Sequence, residues 1–548
     1  MRLCVDAQDG ECEIICSYEK SDRLIDHCGI DLMVKAQEDG YRLEAVKAVK
    51  TVSLPMEEKP GQLRMPMAYT DSMVLQRDCR LHIHGEAAAG AMVTVSIAGH
   101  CREARAGNDG HWEVSLPPLQ AGGPYTLTVT DGVYRLQYKD VLAGEVWLCS
   151  GQSNMAFMLR NAIDAQNDIR QAANDRIRLF DMKPSRPLNS VEWESDFLDS
   201  VNNLQYYACT KWRTASPQSV EDFSAVAYYF GKMLQDSLKV PVGLICNAIG
   251  GSPTEAWIDR ETLQRQFPVI LKDWMHNELI QDWVRGKAIR NLGKAENKSQ
   301  RHPFEPCYLF EAGILPLEQF PLKGVIWYQG ESNAHNVAAH ETLFTLLVKS
   351  WRRNWSNDNL PFYYVQLSSM DRPSWPQFRD SQRRLMGKIK NTGVVVSSDQ
   401  GDSLDVHPKN KKPVGERLAY WALSKTYGWK WIVPSGPLLR NAEFRNGFVY
   451  VTFDYGEGLH AADGKPLRAF EVAGVGGKFE PAVAEIEGNF LKVYSDKVKN
   501  PRYIRYAWQP LHVPIWLMVQ GCRRLRLLPQ RVVQRNENDL SWLIFYFL

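Results

Sequence analysis

Glu145-Val146-Trp147-Leu148-Cys149-Ser150-Gly151-Gln152-Ser153-Asn154-Met155 is an apolar run that breaks at a glycine, presents a serine and opens onto a helix-like stretch. A small residue beside a serine just past a strand lets the hydroxyl stand clear of the backbone. The amides of the turn then point where a developing oxyanion would lie. This stretch reads as strand, turn and helix start, with Ser153 as a candidate nucleophile.

Working outward, apolar strand candidates recur at Val242–Ile245, Gly324–Tyr328, Phe362–Leu367 and Gly393–Val396. Helical patterns separate them. One carries Val226, Tyr229, Phe230, Met233, Leu234 and Leu238 on a single stripe; another opens with Pro413 in its first turn and continues through Leu418, Trp421 and Ala422. Strands alternating with helices predict an α/β fold with a parallel sheet covered on both faces, whose ligands bind at the carboxyl ends of the strands. On the N-terminal side, Leu81–Gly85, Met92–Ile97 and Tyr125–Thr130 alternate between turn residues and predict a small β-sandwich. On the C-terminal side, Gly447–Phe453 and Phe490–Tyr494 predict a second one.

Besides Gly151-Gln152-Ser153-Asn154, three other segments follow predicted strands: Gly250-Gly251-Ser252-Pro253-Thr254-Glu255-Ala256-Trp257, Gln329-Gly330-Glu331-Ser332-Asn333 and Asp402-Ser403-Leu404-Asp405-Val406-His407-Pro408. Acyl transfer needs a nucleophile, a base and oxyanion donors. Ser153 is the candidate for the first and His407 for the second, because imidazole titrates near working pH. The Gly250-Gly251 pair lets a backbone N–H approach substrate, and serves equally as a tight strand-to-helix turn. Gln329 offers a side-chain amide, and one such donor is worth roughly 2.7–4 kcal/mol in the transition state.

Composition narrows the function classes. The 548 residues carry 65 basic and 63 acidic side chains without a dense basic run before the tail, which argues against nucleic-acid binding. No apolar stretch reaches the ~20 residues of a membrane span. The 11 cysteines are irregularly spaced with no CxxC pair, which speaks against a full disulfide framework and against structural zinc. His335 and His340 have no third ligand candidate at usable spacing, so no metal is expected, and the chemistry calls for no cofactor. Nothing in the composition sets the oligomeric state.

The segments Glu145–Met155 and Lys323-Gly324-Val325-Ile326-Trp327-Tyr328-Gln329-Gly330-Glu331-Ser332-Asn333 resemble those of the sialate O-acetylesterase family. So do Asp71-Ser72-Met73-Val74-Leu75-Gln76 and Arg505-Tyr506-Ala507-Trp508, and the likeness runs from about residue 63 to 508. The family belongs to the SGNH (GDSL-like) hydrolases, so the resemblance implies a flavodoxin-like catalytic domain flanked by β-sandwiches. It implies Ser153 as nucleophile, His407 as base, and the Ser153 and Gly251 amides with Gln329 as oxyanion donors. Many SGNH enzymes place an aspartate three residues before the histidine, where this chain has Leu404. Asp405 is the preferred substitute, since alternate residues of an extended segment face one side. Glu331 is the rival, and a dyad without a carboxylate is the third arrangement. Trp257 and Trp375 are candidates to stack on a sugar ring and Arg379 to meet a sugar carboxylate, against packing and a surface ion pair as the plain alternatives.

The expected organisation is an unassigned segment 1–62, a β-sandwich 63–142, a catalytic domain 143–435, a β-sandwich 436–509 and a tail 510–548. The tail has neither helix nor strand logic, and codons compatible with it, read one frame over, can encode an ending like the family's. It is expected to be a frameshifted segment. The first residues lack a signal-peptide core, so the chain taken literally stays in the cytoplasm, although the family is usually exported. The expected substrate is an O-acetylated sialic acid. An acetylated plant polysaccharide such as xylan is the alternative, and a catalytically impaired carbohydrate-binding protein is the reading from a different class.

Overall fold

The computed structural model describes residues 62–186, 191–461 and 464–511, together with strand backbones at Arg2–Gln8, Glu11–Ser17, Gly29–Gln37, Gly40–Val49 and Leu517–Met518. Met1–Glu57 and Glu58–Leu548 are separate compact units. In the first, Arg2–Gln8 pairs with Glu11–Ser17 and Gly29–Gln37 with Gly40–Val49, both antiparallel. The expected frameshifted tail lies almost wholly outside the described residues.

The second unit is built on a mixed sheet whose backbone is one long strand, β1 (Arg135–Gly151). Its first half pairs antiparallel with Gly122–Thr130, which in turn pairs with Met92–Ile97. Its second half, buried on both faces, is flanked by parallel neighbours. The remaining central strands are β2 (Asn174–Met182), β3 (Arg213–Ala215), β4 (Val242–Ala248), β5 (Gly324–Tyr328), β6 (Phe362–Val365) and β7 (Thr392–Val395). They lie in the order β3-β2-β4-β1-β5-β6-β7, all parallel except β3. Residues 63–142 and 143–435 therefore share a continuous strand instead of a linker.

Near residue 142 the strand is held by the segment that precedes the first hairpin. Val74–Gln76 runs parallel to it, and the Gln76 amide donates to the buried Glu145 carboxylate at 3.1 Å while accepting from Val146 N at 2.9 Å. Arg77 pairs with the same carboxylate. A buried charge persists only with partners of this kind.

Six helices matter for the site: α1 (Ser153–Ala156), α2 (Ala225–Leu238), α3 (Asp282–Asn291), α4 (Val337–Asn354), α5 (Trp375–Lys388) and α6 (Lys412–Trp421). In α2, Val226, Tyr229, Phe230 and Leu234 of the predicted stripe are buried. Pro413 sits in the first turn of α6, where its missing N–H costs no hydrogen bond. The C-terminal part forms a six-stranded antiparallel sheet from Leu438 to Tyr506 with its own core around Val449, Val472, Leu491 and Val493.

Candidate active site

Strand register brings three of the motif segments together. Gly151, the last residue of β1, aligns with Ala248 of β4 and Tyr328 of β5, so the turns that follow all three strands leave the sheet at one level. Gly151 has φ +136°, and a Cβ there would lie 2.2 Å from the Tyr328 carbonyl oxygen, so only glycine fits. Gln152 N donates back to Tyr328 O at 3.0 Å, and Ile249 N donates to Gly151 O at 3.1 Å. Ser153 opens α1, a single turn, and is half-buried.

The loop after β7 carries His407 over this turn. His407 Nε2 lies 2.8 Å from Ser153 Oγ. Burial lowers the imidazole below its ordinary titration range; the Lys411 charge lowers it further, and Asp405 opposes both. A neutral imidazole can accept the serine proton. Asp405 Oδ1 accepts from His407 N at 2.8 Å and stands 3.7 Å from Nδ1, too far for a direct hydrogen bond but close enough to favour a charged ring.

Glu331 does not reach the histidine. Its carboxylate accepts from Asn154 Nδ2, which also donates to the Val406 carbonyl at 2.9 Å. On its other side Asn154 accepts from Lys411 Nζ. Burial pushes the Lys411 ammonium down to about 7 and raises the Glu331 carboxyl. Lys411 Nζ also lies 4.7 Å above the Phe157 ring, which is near-parallel to His407 at 6.4 Å. A buried Lys–Asn–Glu chain therefore runs beneath the Ser153–His407 pair.

For an oxyanion, the backbone N–H groups of Ser153 and Gly251 donate to no protein acceptor among the described residues. Gly251 has φ +79°, and its carbonyl accepts from Ser332 Oγ at 3.0 Å. The Gly250 Cβ position is 3.7 Å from Ser153 Cβ, so the glycine turn borders the serine. Gln329 is a correction. Its Nε2 donates to Asn333 Oδ1 at 2.7 Å and Ser252 O at 3.3 Å, its Oε1 accepts from Thr254 Oγ1 at 2.8 Å, and the side chain is buried. With its donors engaged, it ties the turns after β4 and β5 together and presents nothing to an oxyanion.

Comparison with known proteins places the chain in a family. The chain is 31% identical over 461 residues to the sialate O-acetylesterase of Rattus norvegicus, covering 73% of this chain and 81% of that protein. The chain belongs to the sialate O-acetylesterase family. The human sialate O-acetylesterase is 30% identical over 420 residues, covering 70% of this chain and 75% of its own length. A family model described as a carbohydrate esterase, sialic acid-specific acetylesterase, matches residues 310–424. A crystal structure of a carbohydrate acetylesterase from Xanthomonas citri superposes with a TM-score of 0.70 at 31% identity, over 84% of this chain and 97% of that one.

The three candidate substrate contacts of this sialate O-acetylesterase family member are corrected by burial. Trp257 is fully buried, donates from Nε1 to Ser252 Oγ at 2.9 Å and packs edge-on against Trp327. Trp375 is buried with Leu367, Met370 and Phe378, and Val406 packs on that cluster, so it supports the histidine loop from behind. Arg379 is fully buried and spends its guanidinium on Ser369 Oγ and, at 2.7 Å, on the Gln509 carbonyl. Burial pushes it down to about 10. Trp257 follows the Gly251 turn closely in sequence, but all three side chains point into the core. His335 Nε2 faces the Leu279 carbonyl, whereas His340 is buried against Phe378.

Sequence reasoning passed over Asn154, Lys411 and Ser332. Asn154 and Ser332 lie inside the quoted motifs, and their polar side chains next to Ser153 and Glu331 were the available signal. Lys411 gives no such signal, because a lysine two residues before a helical proline is ordinarily solvated.

Proposed function

We propose that this protein is a sialate O-acetylesterase that removes O-acetyl groups from sialic acids by serine acyl transfer. The observation that carries the reading is the 2.8 Å contact between Ser153 Oγ and His407 Nε2, beside two uncommitted backbone N–H groups. His407 takes the Ser153 proton as Oγ bonds to the acetyl carbonyl carbon. The oxyanion is held by the Ser153 and Gly251 amides. The C–O bond to the sugar then breaks, and the sugar oxygen leaves with the proton from His407. Water, activated by the same imidazole, attacks the acetyl-serine and releases acetate.

Asp405 is the carboxylate that favours the imidazolium, acting at 3.7 Å, and Glu331 is a partner of Asn154. The catalytic part is read as an SGNH-type, flavodoxin-like domain within 143–435, with β-sandwiches at 63–142 and 436–509. The parallel order of β2, β4, β1, β5, β6 and β7 supports the first assignment. The antiparallel strands on either side support the second.

Hydrolysis of p-nitrophenyl acetate by the wild type and Ser153→Ala tests the chemistry. A wild type no faster than the variant rejects it. Acetate release from O-acetylated sialic acid, set against acetylated xylan, tests the substrate; preference for xylan overturns the sialate reading while leaving the esterase intact.

A further inference from the structure

With Trp257, Trp375 and Arg379 buried, the side chains expected to bind the sugar are not available to it. Helix α3 meets the site at Gly251. A Cβ on Gly251 would lie 2.9 Å from Trp283 Cη2 and 3.1 Å from Phe304 Cζ, so both rings abut the glycine proposed above as an oxyanion donor. Trp283 is held edge-on by Phe304, with centroids 6.3 Å apart, yet remains 40% exposed. Most large aromatics among the described residues are buried, so an exposed indole braced at the rim of the site stands out.

One turn further along α3, Lys287 lies on the same face as Trp283. Its Nζ is 5.7 Å from the Phe304 centroid. It is half-buried, and burial lowers its titration with no carboxylate opposing the shift. Among the described residues, no hydrogen bond or ion pair engages it. By contrast, Arg260 and Arg301 nearby in sequence are each paired with Glu305 and Glu311. A partly desolvated ammonium gains from an anionic partner placed against it.

We propose that Trp283 and Lys287 form the sugar subsite of the esterase, the Trp283 indole stacking on the pyranose ring and the Lys287 ammonium taking a sugar carboxylate. The assignment rests on the sialate reading above and supplies its specificity. A carboxylate completes Lys287, whereas a neutral acetylated sugar leaves it unpaired and partly desolvated. The indole serves either sugar through the C–H faces of the ring. Selection for an acidic sugar therefore falls to Lys287 and general sugar affinity to Trp283.

The test compares O-acetylated sialic acid with its methyl ester, which keeps the shape and loses the charge. In the wild type, kcat/KM for the free acid should exceed that for the methyl ester at least tenfold. In Lys287→Met this ratio should fall to near one, through a rise in KM with kcat held within about threefold. Trp283→Ala should raise KM for both substrates and keep their ratio. The proposal is overturned if Lys287→Met keeps the wild-type ratio, or if it lowers kcat on both substrates equally, as a merely structural lysine would. A wild type that cleaves p-nitrophenyl acetate but neither sialic acid substrate overturns the sialate reading and the subsite with it, which distinguishes that failure from a failure of Lys287 alone.

Discussion

Asn154 Nδ2 donates to the Val406 carbonyl at 2.9 Å, joining the residue after Ser153 to the residue before His407 across 252 positions of sequence. The bond fixes the histidine loop relative to the serine turn. It is itself fixed, because the same amide donates to Glu331 and the Asn154 carbonyl oxygen accepts from Lys411. A side-chain amide is suited to this position, offering two donors and an acceptor in one plane.

Asn154→Ala removes that tie and strands a buried carboxylate and a buried ammonium. Loss of a buried hydrogen-bonding partner costs about 1–3 kcal/mol of stability. We expect kcat to fall about 10–100-fold with a smaller change in KM, as misplacement of a base does. Steady-state kinetics normalised to the fraction of serine that reacts with a fluorophosphonate checks this; an unchanged kcat per reactive serine would count against the positioning role.

Lys411 lowers the titration of His407, so its removal has a definite sign. With His407 as the proposed base, activity on the acid side should require its neutral form, and wild-type kcat/KM should hold to a pH below the ordinary histidine value near 6.5. Lys411→Met removes a positive charge, raises the His407 pKa and moves the acid limb to higher pH. A pH–rate profile whose acid limb stays put or moves lower would refute this.

Asp405 and Glu331 are separable by isosteric change. Asp405→Asn removes the carboxylate 3.7 Å from His407 Nδ1, and because it is half-exposed we expect a loss of about 10–100-fold in kcat, short of the roughly 10⁴-fold of a buried, directly bonded aspartate. In Glu331→Gln the new side-chain oxygen still accepts from Asn154, so kcat should stay within about tenfold. The reverse ranking would assign the supporting role to Glu331.

Gly251→Ala places a methyl in a left-handed backbone position 2.9 Å from Trp283 Cη2. Backbone strain of about 1–3 kcal/mol and a displaced amide should lower kcat by roughly 10²-fold. Gly250→Ala, whose Cβ would meet Ser153 Cβ at an ordinary 3.7 Å, should lose far less. Equal losses in the two variants would remove the special role of the Gly251 amide.

Glu255 links the site to stability. Burial pushes its carboxyl up to about 7, against a hydrogen bond from Asn333 Nδ2 at 2.9 Å. The folded protein therefore keeps a proton that the unfolded chain releases above about pH 4.3. Stability from this group is full below that pH and declines as pH rises through 7, by on the order of 3–4 kcal/mol in all. Glu255→Gln should flatten that decline, read as a smaller difference in urea midpoint between pH 5 and pH 8. A variant with the wild-type difference would show that Glu255 does not titrate in this range.

Much of the architecture was legible because it is local. The run from Val146 to Cys149 is apolar because a parallel strand is buried on both faces, and Gly151 follows because the turn needs a positive φ against Tyr328. The strand at Val242, the stripe on α2 and the proline of α6 were readable for the same reason. The exchange of partners along β1 was not, since a strand that changes partners halfway keeps one continuous periodicity.

Sequence by itself determined which segments end at the carboxyl edge of the sheet, and therefore that Ser153, Gly251 and His407 belong to one neighbourhood. Proximity along the chain says nothing about which way a side chain points. Only the tertiary structure decided that Trp257, Trp375 and Arg379 turn inward, that Gln329 is spent on Asn333, and that Glu331 serves Asn154 while Asp405 stands beside His407. Backbone turns obey near-neighbour sterics, whereas burial and hydrogen-bond partnership are settled by residues that meet only when the sheet closes.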